Sequence, residues 1–228
     1  MRMRFRSFFK AACLCAMLAP VPLRPFDYLL PPPVRFVAEP PEYSARGVYV
    51  TANSAGIPER LDALAQLCAE SGMNSVVIDV RTENEVTLKN WLPFADEWGV
   101  SQNYIPDAAE LMQTLEANNI YPIARMVTFI DGYTVNYRPE LYIHNADGTV
   151  WEGPVHNGDR RYPWLNPYNK ETWDYVLTYA IAAAELGFKE IQFDYVRFAA
   201  TTRLDEADFG DTQGLTRTEI ILEFLRYA

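Results

Sequence analysis

Short apolar runs alternate with segments of helical periodicity from residue 46 to the end of the chain. The apolar runs predict strands at 46–51, 75–81, 120–129 and 190–198. Apolar positions that recur every three or four residues predict helices at 57–68, 108–115, 173–184 and 220–225. Because strands joined by helices form parallel sheets with right-handed crossovers, the pattern predicts an α/β fold.

The repeated strand–helix unit favours a (β/α)8 TIM barrel. A complete barrel takes about 250 residues, so we expect this chain to hold a barrel truncated to its first four to five units. An open, doubly wound sheet is the alternative. The loop after the first strand, Thr51 to Gly56, contains no glycine-rich phosphate fingerprint, which argues against nucleotide binding.

The N-terminal region has the features of an export signal. Residues 1–10 are basic, residues 11–19 are small and apolar, and prolines follow, so we predict a signal peptide at 1–25 and a secreted or extracytoplasmic protein. The apolar run is too short for stable membrane insertion. Residues 26–43 are proline-rich and predict an extended linker, which places the folded domain at 44–228.

Charge and composition narrow the partners. The formal net charge of −10 argues against nucleic acid and is compatible with a neutral carbohydrate. The two histidines, His144 and His156, lack the spacing of a metal site, and the acidic stretch 205–211 does not match a calcium loop. We therefore predict no metal and no cofactor, and leave the oligomeric state open.

Charged residues near strand ends are the candidates for chemistry. Asp194 lies near the end of the fourth strand, with Arg197 three residues later, and Asp79 has the same place in the second strand. Arg125 lies in the strand between them, where it would keep both carboxylates ionised and oriented. Catalytic groups of barrels lie at this end of the strands. A buried ion-pair network and a glycosidase-like site both remain open.

A long connection, residues 130–169, follows the third strand and is rich in aromatic residues. They are Tyr133, Tyr137, Tyr142, Trp151, Tyr162, Trp164 and Tyr168. Such rings either form platforms for sugar faces or pack the connection onto the domain. Residues 145–148 predict a hairpin turn. The candidate substrate-binding residues are Trp164, Tyr195, Arg197, Asp131, Asn166 and Tyr49.

Several motifs in order resemble the DUF4015 family of bacterial glycoside hydrolase-like proteins. They are RGVYVT, SVVIDVR, IYPIARMVTF, WLNPYNKETWDY and LGFKEIQFDYVRF. The resemblance implies a TIM barrel related to the α-amylase-like glycosidases. In that group the fourth-strand aspartate is the nucleophile, which corresponds to Asp194, and a fifth-strand glutamate is the general acid, which we expect beyond Ala228. The family has proline where this chain has Ala199.

The leading hypothesis is an exported glycoside hydrolase acting on O-glycosidic bonds of a polysaccharide or oligosaccharide. Asp194 would be nucleophile or charge stabiliser, with Asp79 and Arg125 orienting it, and residues 44–228 alone are expected to be inactive. The alternative is a non-catalytic carbohydrate-binding or cell-wall-associated barrel. A deacetylase is disfavoured because the sequence has no metal triad.

Overall fold

The computed structural model describes residues 44–156 and 160–228. The predicted signal peptide and linker lie outside the described residues, so both remain predictions. The strands are β1 Gly47–Val50, β2 Ser75–Arg81, β3 Tyr121–Val127, β4 His144–Asn145, β5 Glu152–His156, β6 Arg160–Pro163, β7 Glu190–Asp194 and β8 Ala207–Asp208. The helices are α1 Ala52–Ala55, α2 Pro58–Ser71, α3 Pro93–Glu97, α4 Ala108–Ala117, α5 Lys170–Leu186 and α6 Arg217–Tyr227.

The main sheet is parallel and has the order β1-β2-β3-β7. Each strand lies beside the one that precedes it in this sheet, so the order never reverses. A doubly wound sheet reverses its strand order at a switch point, whereas a barrel adds each strand to the same side. The α/β prediction is confirmed, and the strand order is that of consecutive units of a (β/α)8 barrel.

The four predicted helices are confirmed, and local signals at their ends explain their bounds. α2 stops at Gly72, whose φ of 70° is in the left-handed region that favours glycine. The side chain of Asp107 caps α4 by accepting a hydrogen bond from the Glu110 amide. Thr216 and Glu219 form a reciprocal capping box at the start of α6.

The two faces of the main sheet differ in chemistry. One face carries the fully buried Val76, Ile78 and Val80 of β2 and packs against the helices, with α4 on β3 and α5 on β3 and β7. The other face carries polar side chains, including Asp79 and Arg125. Successive residues of a strand point to opposite faces, so each apolar position on β2 alternates with one on the polar face.

The connection between β3 and α5 is folded rather than structureless. The predicted hairpin turn is confirmed, because the Asn145 amide donates to the Thr149 carbonyl over 2.7 Å and Gly148 has a φ of 84°. β5 pairs with β6, and β4 pairs with β8. Among the seven aromatic residues of this connection, only Tyr137 is well exposed, at 46 %. The others pack the connection, so it provides no open row of aromatic platforms.

A buried ion pair fastens this connection to the sheet. Arg81, the last residue of β2, binds Asp131 over 2.8 Å, and both side chains are fully buried. Asp131 also accepts hydrogen bonds from the hydroxyls of Tyr142 and Tyr175. Burial raises the pKa of Tyr175 well above its usual value, and the charge of Asp131 raises it further. The tyrosines therefore remain hydrogen-bond donors over the physiological range.

Candidate active site

Three predicted residues come together at the C-terminal end of the parallel sheet. Arg125 Nη1 lies 2.5 Å from Asp79 Oδ1. On its other side, Arg125 Nη2 lies 2.5 Å and Nε 3.0 Å from Asp194 Oδ2. One guanidinium thus bridges carboxylates from the strands on either side of β3.

The strand register explains why these residues meet. Asp79 is level with Arg125, and Asp194 is level with Val127, two residues further along β3. Residues two apart in a strand share a face, so all three side chains leave the sheet on the same side. Neighbouring strands are about 4.8 Å apart, a spacing that an arginine side chain spans easily.

The two carboxylates differ in their access to solvent. The Asp79 side chain is 8 % exposed; Arg125 binds one of its oxygens, and the Tyr49 hydroxyl donates to the other. The Asp194 side chain is 37 % exposed. Asp79 is therefore enclosed by the protein, whereas Asp194 can meet a ligand.

Tyr49 and Arg125 keep the protonation states that this arrangement needs. Burial, followed by the hydrogen bond and charge of Asp79, raises the pKa of Tyr49 to about 12. Burial by itself would lower the pKa of Arg125, but hydrogen bonds to Asp79 and Asp194 outweigh it and hold that pKa above its usual value. Tyr49 remains a donor and Arg125 a cation at neutral pH.

The backbone after Asp194 holds the carboxylate from its other side. The Tyr195 amide donates to Asp194 Oδ1 over 2.7 Å. Tyr195 has a φ of 54°, in the left-handed region, which is uncommon for an aromatic residue and occurs mostly where the surroundings enforce it. Arg125 and this amide together give the Asp194 carboxylate one orientation.

Arg197 lies close to Asp194 in sequence but does not pair with it. Arg125 takes that position, and Arg197 forms no ion pair within the part of the chain that the structure describes. The guanidinium of Arg197 instead stacks over two rings, Trp164 at 5.3 Å and Tyr195 at 5.2 Å from carbon to centroid. The turn at Tyr195 directs the chain away before Arg197 can reach the carboxylate.

Three other candidates do not face an open site. Asp131 is fully buried in its separate network with Arg81, where protein donors occupy its oxygens. Asn166 is 8 % exposed and ties Phe209 and Tyr168 to its own loop. Trp164 is 4 % exposed beneath Arg197, so its ring is not open to a sugar.

The sequence patterns did not single out Glu83. It is half-buried in the loop after β2, close enough that its charge adds to burial and to Asp79 in raising the pKa of Tyr49. Loops after barrel strands line active sites, and that rule would have included Glu83.

In residues 44–156 and 160–228 no three His, Cys, Asp or Glu side chains group as a metal site. No helix within those ranges is long and apolar enough to cross a membrane.

A barrel-type sheet with a charged cluster at its C-terminal end is an arrangement found in glycosidases. The profile of DUF4015, described as "Putative glycosyl hydrolase domain", matches residues 47–228. The chain therefore belongs to the DUF4015 family. No match was found among the curated proteins.

The chain is also similar to solved structures. A hypothetical protein from Ruminiclostridium thermocellum is 32 % identical, with a TM-score of 0.68 over 79 % of this chain and 90 % of that one. The α-galactosidase from Thermus thermophilus, in complex with stachyose, is 16 % identical with a TM-score of 0.55. An uncharacterized Listeria monocytogenes protein in complex with glucose, magnesium and calcium is 12 % identical with a TM-score of 0.54.

The last two likenesses concern the fold alone. The match with the Thermus enzyme spans 80 % of this chain but only 38 % of that enzyme. The match with the Listeria protein spans 78 % of this chain but only 18 % of that protein.

Proposed function

We propose that this chain is a glycoside hydrolase of O-glycosidic bonds in an oligosaccharide or polysaccharide, with Asp194 as nucleophile or charge stabiliser. One observation carries the proposal: Asp194 is a solvent-accessible carboxylate at the C-terminal end of β7, oriented by Arg125 and the Tyr195 amide. Membership of the DUF4015 family supports the reaction class.

The geometry supports different roles for the two carboxylates. Glycosidases use one carboxylate to attack or stabilise an oxocarbenium-like anomeric carbon and a second acid to protonate the leaving oxygen. Asp194 is accessible and suits the first role. Asp79 has both oxygens engaged by Arg125 and Tyr49, so it positions the guanidinium that orients Asp194.

Reducing-sugar release by the full-length protein from a panel of oligosaccharides tests the catalytic role. Asp194→Asn preserves shape but removes the charge, and we expect kcat to fall at least about a thousandfold with the fold unchanged. Asp79→Asn should cost less. Asp62→Asn is the matched control, because Asp62 is exposed on α2 and makes no contact with Asp79, Arg125 or Asp194.

The outcomes separate the hypotheses. Near-native turnover in Asp194→Asn would contradict the assignment. Saccharide binding by the full-length wild-type protein without turnover would favour the alternative, a non-catalytic carbohydrate-binding barrel. The proposal includes export, based on the pattern of residues 1–25. N-terminal sequencing of the mature protein from cell fractions should find that segment removed, and an intact N-terminus in the cytoplasm would refute export.

A further inference from the structure

Arg197 is an exposed cation that the protein holds in one orientation beside the candidate active site. It lies three residues after Asp194, in the loop that follows β7. Its guanidinium contacts the rings of Trp164 and Tyr195, and its Nη1 donates to the Phe198 carbonyl over 3.0 Å. Two aromatic contacts and one hydrogen bond restrict a side chain that would otherwise sample many rotamers in solvent.

The charge of Arg197 has no counterion among the residues that the structure describes. Within residues 44–156 and 160–228 no carboxylate lies at ion-pair distance from it, whereas Arg125 binds two carboxylates. A guanidinium carries several N–H donors, and the Phe198 carbonyl accepts from one of its nitrogens. The two ring centroids lie 5.3 and 5.2 Å from the guanidinium carbon, and the N–H groups that Phe198 does not use can donate as a pair to a planar or tetrahedral anion.

Negative charge predominates in the chain and in the candidate active site near Arg197. The chain has a net charge of −10, and Asp79 and Asp194 lie at the same end of the sheet. These charges would repel an anionic ligand unless a local cation offset them. A stacked, unneutralised arginine three residues from the accessible carboxylate supplies such a cation.

We propose that Arg197 recognises an anionic group, a carboxylate or a sulfate ester, on the sugar unit bound beside Asp194. The inference rests on the proposed function and specifies its substrate class as acidic oligosaccharides. Trp164 is then a positioning residue: its buried ring supports the guanidinium instead of stacking on a sugar.

Calorimetric titration of the full chain tests this class. The probes are glucuronate and galacturonate oligomers, sulfated oligosaccharides, and the neutral counterpart of each. We expect at least one acidic probe to bind about tenfold or more tightly than its neutral counterpart, as charged hydrogen bonds allow. That affinity should fall as NaCl rises from about 50 mM to about 500 mM, while neutral binding stays constant. Comparing the affinities for the uronate oligomers and for the sulfated oligosaccharides shows whether Arg197 recognises a carboxylate or a sulfate ester.

Charge-removing variants locate the effect. Arg197→Gln should lose about tenfold or more in affinity for the preferred acidic probe and less than about twofold for its neutral counterpart. Arg203→Gln is the matched control, because Arg203 is an exposed arginine further along the same connection. Its affinities should equal those of the wild type. Thermal melts of each variant confirm that the fold is retained.

The proposal is overturned if no acidic probe is preferred over its neutral counterpart. It is also overturned if Arg197→Gln weakens acidic and neutral binding equally, because Arg197 would then only cover Trp164. Binding of neutral saccharides alone leaves the glycoside hydrolase proposal standing and removes this one. If no saccharide binds the wild-type chain, both proposals fail.

Discussion

Replacing Arg125 with methionine tests the bridged carboxylates most directly. Methionine preserves much of the side-chain volume but removes the cation that joins Asp79 to Asp194. The Asp79 side chain is 8 % exposed and would keep the Tyr49 hydroxyl as a donor while losing its counterion. We expect the variant to be less stable, because a largely buried charge is left uncompensated.

The magnitude follows from the exposure of each partner. Breaking a buried ion pair by removing one member costs about 3–5 kcal/mol, and the 20 % exposure of Arg125 places its pair with Asp79 near the lower value. Asp194 is 37 % exposed and screened by water, so losing its pair adds no more than about 1 kcal/mol. The expected loss in unfolding free energy is therefore about 3–4 kcal/mol.

Urea unfolding monitored by tryptophan fluorescence measures this loss. With an m-value of about 2 kcal/mol per M, the midpoint should fall by about 1.5–2 M. The double variant Arg125→Met/Asp79→Asn should recover part of the lost stability, because the unpaired charge of Asp79 is removed as well. Arg203→Met is the control and should leave the midpoint unchanged. A loss below about 1 kcal/mol in Arg125→Met, or no recovery in the double variant, would refute this reasoning.

Three further predictions concern the same structure. The folded-state pKa of Tyr49 is raised to about 12, so between pH 10 and 12 this tyrosine ionises in the unfolded state before it does in the folded state. The unfolding free energy of the wild type should therefore fall relative to that of Tyr49→Phe over this range, and the difference between the two should be constant below pH 10. Chemical denaturation across the range measures the unfolding free energies, and the difference spectrum of tyrosinate follows the ionisation. Asp131→Asn should lower the unfolding free energy by about 3–5 kcal/mol in a thermal melt, because it leaves the buried charge of Arg81 without its counterion. Gly153→Ala should cost about 1–3 kcal/mol, because its Cβ would lie 2.4 Å from Trp164 Nε1, and a full-stability variant would contradict that packing.

Much of the fold could be predicted because its signals are local. Strands alternate with helices in the sequence, and the helix bounds follow from end signals such as Gly72, Asp107 and Thr216. The meeting of Asp79, Arg125 and Asp194 was also predictable. Parallel strands expose their C-terminal ends together, and alternation along each strand sends the three side chains to one face.

Tertiary structure alone decided which charges pair. Arg197 is nearer to Asp194 in sequence, but Arg125 binds it, because the adjacent strand β3 holds Arg125 on the same face, two residues before the position level with Asp194. The left-handed turn at Tyr195 meanwhile turns Arg197 towards Trp164. The burial of Asp131 and Trp164 was likewise not visible in the sequence. It depends on how a long connection folds back on the sheet, and residue type does not determine contacts between segments far apart in the chain.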